Sequence, residues 1–180
     1  MKLLIVLEIC CLSGCATNKY LQPYRLIRQQ SRPKAPLLIY PASPPAKALF
    51  HIMAFNWKVK DFRYPRVKLD LTYLVGSENP VICNISFVQN KKTPQAVSAA
   101  SFVADGTCYP LEDISVLVFS PQENTLRISS NLRPEHGMVL LDAGSIVLEF
   151  TLDNVNYQAE APNVFYTALK QAAEGLLYYQ

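Results

Sequence analysis

Glycine, charge, histidine and tryptophan are all scarce in this 180-residue chain, which holds 6 Gly, 2 His and 1 Trp and is only 17% charged. Six glycines leave little material for a phosphate-cradling loop or a dinucleotide fingerprint, and neither of these nor a Gly-x-Ser-x-Gly elbow occurs. The histidines, His51 and His136, stand far apart with no Cys or carboxylate at ligand spacing, so neither a metal site nor a cofactor is expected. No stretch reaches about eighteen consecutive apolar residues, which argues against a membrane-spanning helix. No repeat of about 20 to 50 residues is visible, so a solenoid is not expected either. What is plentiful is apolar side chain, at 50% of the chain, together with 13 Pro, 10 Tyr and 8 Phe. That content suits one globular domain and argues against disorder over most of the length.

The chain opens on Met1-Lys2, continues as Leu3-Leu4-Ile5-Val6-Leu7 and, after Glu8, Ile9-Cys10-Cys11-Leu12, and closes this segment with Ser13-Gly14-Cys15. A charged start followed by a short apolar core is the pattern of an export signal, removed from the mature protein. Leu12-Ser13-Gly14-Cys15 resembles the lipobox of bacterial lipoprotein precursors, in which a Leu and two small residues precede a Cys. The resemblance implies cleavage before Cys15, a diacylglycerol on its thiol, acylation of the new amino group, and hence anchorage to membrane lipid. One acyl chain binds a bilayer only marginally and two or more hold firmly, at about 0.8 kcal/mol per buried CH2. Ala16 stands where an Asp would resemble an inner-membrane retention signal, so the outer membrane is slightly favoured over the inner. The expected place is the cell envelope, with the domain in the periplasm or on the surface.

With Cys10, Cys11 and Cys15 set aside, Cys83 and Cys108 remain as an even pair in a chain expected to enter an oxidising space. A disulfide between them is the expectation, and it would stabilise by roughly 3 to 4 kcal/mol in the loop-entropy model. The alternatives are two free thiols, or a nucleophile or metal ligand.

Three segments follow from composition: a signal over 1–14, a lipidated Cys and Pro-rich basic tether over 15–46, and a globular domain over 47–180. Six prolines between Pro23 and Pro45 oppose helix and central strand, so the tether reads as extended. From Ala16 to Lys60 there are eight basic residues and no acidic one, while residues 61–180 hold eight basic and thirteen acidic. Such a segment is either a solvated spacer or one that meets anionic headgroups; nucleic acid, the other usual partner, is not expected of an exported chain.

The body alternates with a period of two, the signature of half-buried strands: Val67, Leu69, Leu71, Tyr73 and Val75, then, across a turn at Gly76–Pro80, Val81, Cys83, Ile85 and Phe87. Similar runs at 48–59, 100–107, 114–119, 125–129, 138–141, 146–152 and 157–161 predict an antiparallel β-sandwich or barrel-like domain. Asn163 as N-cap and Phe165, Leu169, Ala172, Ala173 and Leu176 at helical spacing predict one C-terminal amphipathic helix over 164–178, its apolar face on the core or on a partner.

No catalytic constellation is legible; Glu112 and Asp113 read as solvated turn carboxylates and His136 as an exposed turn residue. Trp57, Lys58, Lys60, Arg63 and Tyr64 mix aromatic with basic side chains where tether meets domain, and are the candidate surface for an envelope protein partner or the membrane. The sequence therefore predicts a non-enzymatic, membrane-anchored lipoprotein with a binding or structural role. The alternatives are a carrier of lipid or small ligand, an inhibitor of an envelope hydrolase, and a hydrolase whose residues converge without a motif.

Overall fold

The computed structural model describes residues 37–41, 48–60, 65–75, 78–90, 96–120 and 122–179. In chain order these form β1 (Leu37–Pro41), β2 (Ala48–Val59), β3 (Arg66–Val75), β4 (Val81–Val88), β5 (Val97–Ala104), β6 (Thr107–Pro110), β7 (Glu112–Ser120), β8 (Thr125–Leu132), α1 (Pro134–Asp142), β9 (Ile146–Leu152), β10 (Val155–Glu160) and α2 (Asn163–Tyr179). All strand pairs are antiparallel, in the order β6-β5-β9-β10-β2-β3-β4-β8-β7, with β1 also bonded to β2. The sheet curls until it is nearly closed into a barrel. Its two halves meet inside it, where the rings of Phe87 on β4 and Phe150 on β9 lie 4.9 Å apart.

Alternation explains the interior. Val67, Leu69, Leu71, Tyr73 and Val75 of β3 are buried, as are Val81, Cys83, Ile85 and Phe87 of β4 and Ile146, Leu148, Phe150 and Leu152 of β9. Each fully buried large side chain contributes about 1.5 to 3 kcal/mol. Two hairpins close on pairs of residues with positive φ, Asp105-Gly106 (48° and 85°) and Asp153-Asn154 (50° and 64°), the turn type whose twist matches that of the strands.

Strand β2 changes sides partway. Ile52 pairs with Leu71 but Phe55 with Leu69, so one extra residue is accommodated at Met53-Ala54. Before this bulge the even positions Ala48, Phe50 and Ile52 are buried; after it the odd positions Trp57 and Val59 are. The first half of β2 pairs with β1 and its end with β10, so the bulge lets one strand join both halves of the sheet.

Three expectations are corrected. Leu37–Pro41, assigned to the tether, is a strand on β2; Leu37-Leu38-Ile39-Tyr40 is an apolar run, and Pro41 is tolerated at the end of an edge strand. The run at 138–141, expected as strand, lies in α1, and the Pro-Glu-His-Gly expected as a turn opens that helix. Proline is favoured in a first helical turn, where its missing N–H has no partner to lose. Gly137 then lets α1 press on the sheet, since a Cβ there would lie 2.4 Å from Val81 Cγ2. The third correction is the disulfide: Cys83 and Cys108 are both free thiols, one buried in β4 and the other exposed on β6. Cys83 points to the core face while Cys108, opposite Val103, points outward, so the two cannot meet without breaking the alternation of their strands.

The C-terminal helix is present. Phe165, Ala168, Leu169, Ala172 and Leu176 of α2 are buried, and Phe165 packs edge-on against Trp57 (5.0 Å) and Phe55 (6.3 Å). Gly175 brings the helix against Phe50, whose Cε1 would lie 2.4 Å from an added Cβ. Among the described residues no helix is long and apolar enough to cross a membrane.

Candidate functional site

A groove of about 680 Å³ runs along the outside of the sheet, over β6, β5, β9, β10 and the end of β2. Most of its side chains are those that alternation turns outward, and Ala100, Phe150 and Tyr157 from the alternate positions border it as well. Ser101 of β5 stands opposite Glu149 of β9, which stands opposite Gln158 of β10. One row further, Ala99 stands opposite Thr151 and Thr151 opposite Asn156. Cys108 and Pro110 of β6 border one side and Lys60 the other. The Lys60 N–H donates to the Gln158 carbonyl at 2.9 Å, which fixes the lysine beside the groove.

Two cross-strand hydrogen bonds order the lining. Gln158 Nε2 donates to Glu149 Oε1 at 2.8 Å, and Thr151 Oγ1 donates to Asn156 Oδ1 at 2.7 Å. Each pair uses only part of its capacity: a carboxylate accepts at two oxygens, and each amide carries both donors and an acceptor. The groove thus offers one cation, one anion, amides and hydroxyls, a set with the chemistry to hydrogen-bond polar groups. Its volume lies within the range of about 300 to 1,000 Å³ usual for small-ligand sites.

The residues singled out by sequence fall apart in the structure. Cys15, Arg63 and Tyr64 lie outside the described residues. Trp57, expected at a surface, is 4% exposed and packs between Phe165 and Phe102 (6.1 Å), because the bulge in β2 turns odd positions inward. Lys58 and Lys60, at even positions, are exposed on the outer face, and only Lys60 borders the groove. Cys83 is fully buried; burial above all, with the Asp70 charge adding to it, holds its thiol well above the usual range and keeps it protonated and unreactive.

Neither histidine reaches the groove. His51 Nδ1 lies 3.0 Å from Thr72 Oγ1, and the His136 ring rests 4.9 Å from that of Tyr109. Glu112 pairs with Arg133 at 3.2 Å and Asp113 accepts from Asn131 at 3.1 Å, so these carboxylates serve local contacts. Among the described residues no three His, Cys, Asp or Glu side chains are grouped to hold a metal ion.

Sequence reasoning missed Ser101, Glu149, Thr151, Asn156 and Gln158. Their signal was the polar half of each alternation, Glu149 and Thr151 between Leu148, Phe150 and Leu152, which marks an outward face without telling which strands lie side by side. No family model, curated protein or solved structure matches the chain.

Proposed function

We propose that the chain is a membrane-anchored bacterial lipoprotein whose β-rich body has a binding or structural role in the cell envelope, acting by recognition and not by catalysis. The observation that carries this reading is Leu12-Ser13-Gly14-Cys15 at the end of an apolar run that begins after Lys2. On this reading the mature chain begins at an acylated Cys15, most favourably in the outer membrane, and meets its envelope partner through the outer groove. The hydrogen-bonded pairs Glu149–Gln158 and Thr151–Asn156 support recognition, because lining groups already ordered lose little freedom when a ligand arrives. The interior favours a surface binder over an internal carrier, since Trp57, Phe87, Phe102, Phe150 and Phe165 pack on one another there.

The test is expression of the full-length chain in a Gram-negative host supplied with an azide-bearing palmitate. The expected result is a labelled protein in the membrane fraction, and a Cys15→Ala variant that is unlabelled and retains its leader. Equal labelling and processing of the two would overturn the reading.

A further inference from the structure

We infer that the outer corner formed by the end of β2 and the start of β3 docks on anionic phospholipid headgroups. The inference rests on the lipid-anchored reading and adds to it a second, electrostatic contact made by the folded body. It begins from alternation: beyond the bulge in β2 the even positions face outward, and so do the even positions at the start of β3. Asn56 pairs with Lys68 and Trp57 with Val67, and continuing that register sets Lys58 beside Arg66. Lys58, Lys60, Arg66 and Lys68 are all exposed, so four cations stand on one side of two adjacent strands. The four cations thus form one outward-facing cluster that a charged surface can meet.

Among the described residues, carboxylates flank this corner at Glu160, at Asp70 and, in the groove that Lys60 borders, at Glu149. Glu160 of β10 stands opposite Lys58, and Asp70, two positions beyond Lys68 on the same face, is already held by Arg127 at 2.9 Å and Asn84 at 2.8 Å. Among the described residues no ion pair engages Lys58, Lys60 or Lys68. The remaining described cations, Arg127, Arg133 and Lys170, lie on other elements, and Arg127 and Arg133 are paired with carboxylates. Charge complementarity therefore selects a polyanionic surface, and the bilayer that holds Cys15 is the one the anchor keeps within reach. Each Lys or Arg at such a surface strengthens binding about fivefold, and the effect is screened by salt.

The test uses the mature chain with Cys15→Ala, so that no acyl group contributes, and sedimentation with phosphatidylcholine vesicles with and without phosphatidylglycerol. The expected result is binding only where phosphatidylglycerol is present, lost at high salt. The variant Lys58→Gln/Lys60→Gln/Arg66→Gln/Lys68→Gln should bind on the order of 600-fold more weakly. Glu160→Gln should bind a few-fold more tightly and keep the same dependence on phosphatidylglycerol and salt, which hydrophobic binding by a misfolded chain would not show. The companion variant Arg25→Gln/Arg28→Gln/Arg32→Gln separates the contribution of the basic tether. The inference is overturned if the four-site variant stays within about twofold of the parent, if the loss is confined to the tether variant, or if Glu160→Gln leaves binding unchanged. Because the assay contains no acylated protein, its failure is distinguishable from failure of the labelling test of Cys15.

Discussion

Around Asp70, on β3, β4 and β8, the outward polar side chains bind one another, whereas on β5, β9 and β10 they line an open groove. In the first half, Arg127 Nη2 meets Asp70 Oδ2 at 2.9 Å, Asn84 Nδ2 donates to Asp70 Oδ1 at 2.8 Å, and Arg127 Nη1 donates to Ser86 Oγ at 3.3 Å. The Asp70 side chain is 5% exposed although it lies on the outer face. In the second half, Glu149–Gln158 and Thr151–Asn156 pair across strands but remain beside solvent along the groove. The two halves share one strand geometry and one pattern of alternation. The difference teaches that outward polarity is not one property: around Asp70 it is satisfied within the chain and acts as a fastening, and along the groove it is left beside solvent.

The largest effect should come from breaking the fastening. Arg127→Ala leaves the Asp70 carboxylate nearly buried and held by Asn84 without its cation, and should cost about 2 to 3 kcal/mol in denaturant unfolding. That figure is below the cost of a fully buried pair because the Arg127 side chain is 38% exposed. A loss under about 0.5 kcal/mol would show that the two outer faces are energetically alike.

The inner face carries a pH response of its own. Burial holds the Cys83 thiol and the Tyr73 phenol far above their ordinary values of 9.0 and 10.0, with the Asp70 charge adding for Cys83 and Cys83 adding for Tyr73. The unfolded chain therefore loses these protons first, so their stabilising contribution is complete below about pH 8 and falls as pH rises past 9.0. The decline approaches about 1.4 kcal/mol per pH unit for each group once the unfolded form is ionised. Melting temperatures in a pH series should show this, and Tyr73→Phe should reduce the part of the decline above 10.0. That variant also loses the 3.2 Å bond from Tyr73 Oη to the Gly137 carbonyl, about 1 kcal/mol at neutral pH. A flat pH profile through this window would contradict the assignment.

The two thiols sharpen the contrast between inside and outside. A maleimide added to the folded chain should modify Cys108, and Cys83 only after denaturation, as peptide mapping would show. Modification of neither before reduction would restore the disulfide expected from the count of cysteines. The smallest effect belongs to the groove: Gln158→Ala should change stability by less than about 0.5 kcal/mol while lowering capture of a partner.

Much of the fold was legible because strand β3 carries its burial code without exception at Val67, Leu69, Leu71, Tyr73 and Val75. The C-terminal helix was legible for the same reason, since Phe165, Leu169, Ala172 and Leu176 recur at its period. What escaped depends on contacts between distant segments. Trp57 reads as an interface aromatic beside lysines until the register of β2 against β3 exposes the bulge that turns it inward. The run at 138–141 has apolar content that fits either element, and Pro134 and Gly137 decide for helix through helix-start geometry and close approach to Val81. The groove needs β5, β9 and β10 side by side, and an order that places β9 between β5 and β10 joins segments far apart in the chain.

The most direct measurement is site-specific photo-crosslinking in the native envelope, with a photoreactive residue at Gln158 in the groove and, for comparison, at Ser129 on the outer face of β8. The account predicts a discrete adduct from position 158 and none from position 129, identified by mass spectrometry. Equal adducts from both positions, or an adduct from 129 alone, would contradict the proposal that the groove over β5, β9 and β10 meets the envelope partner.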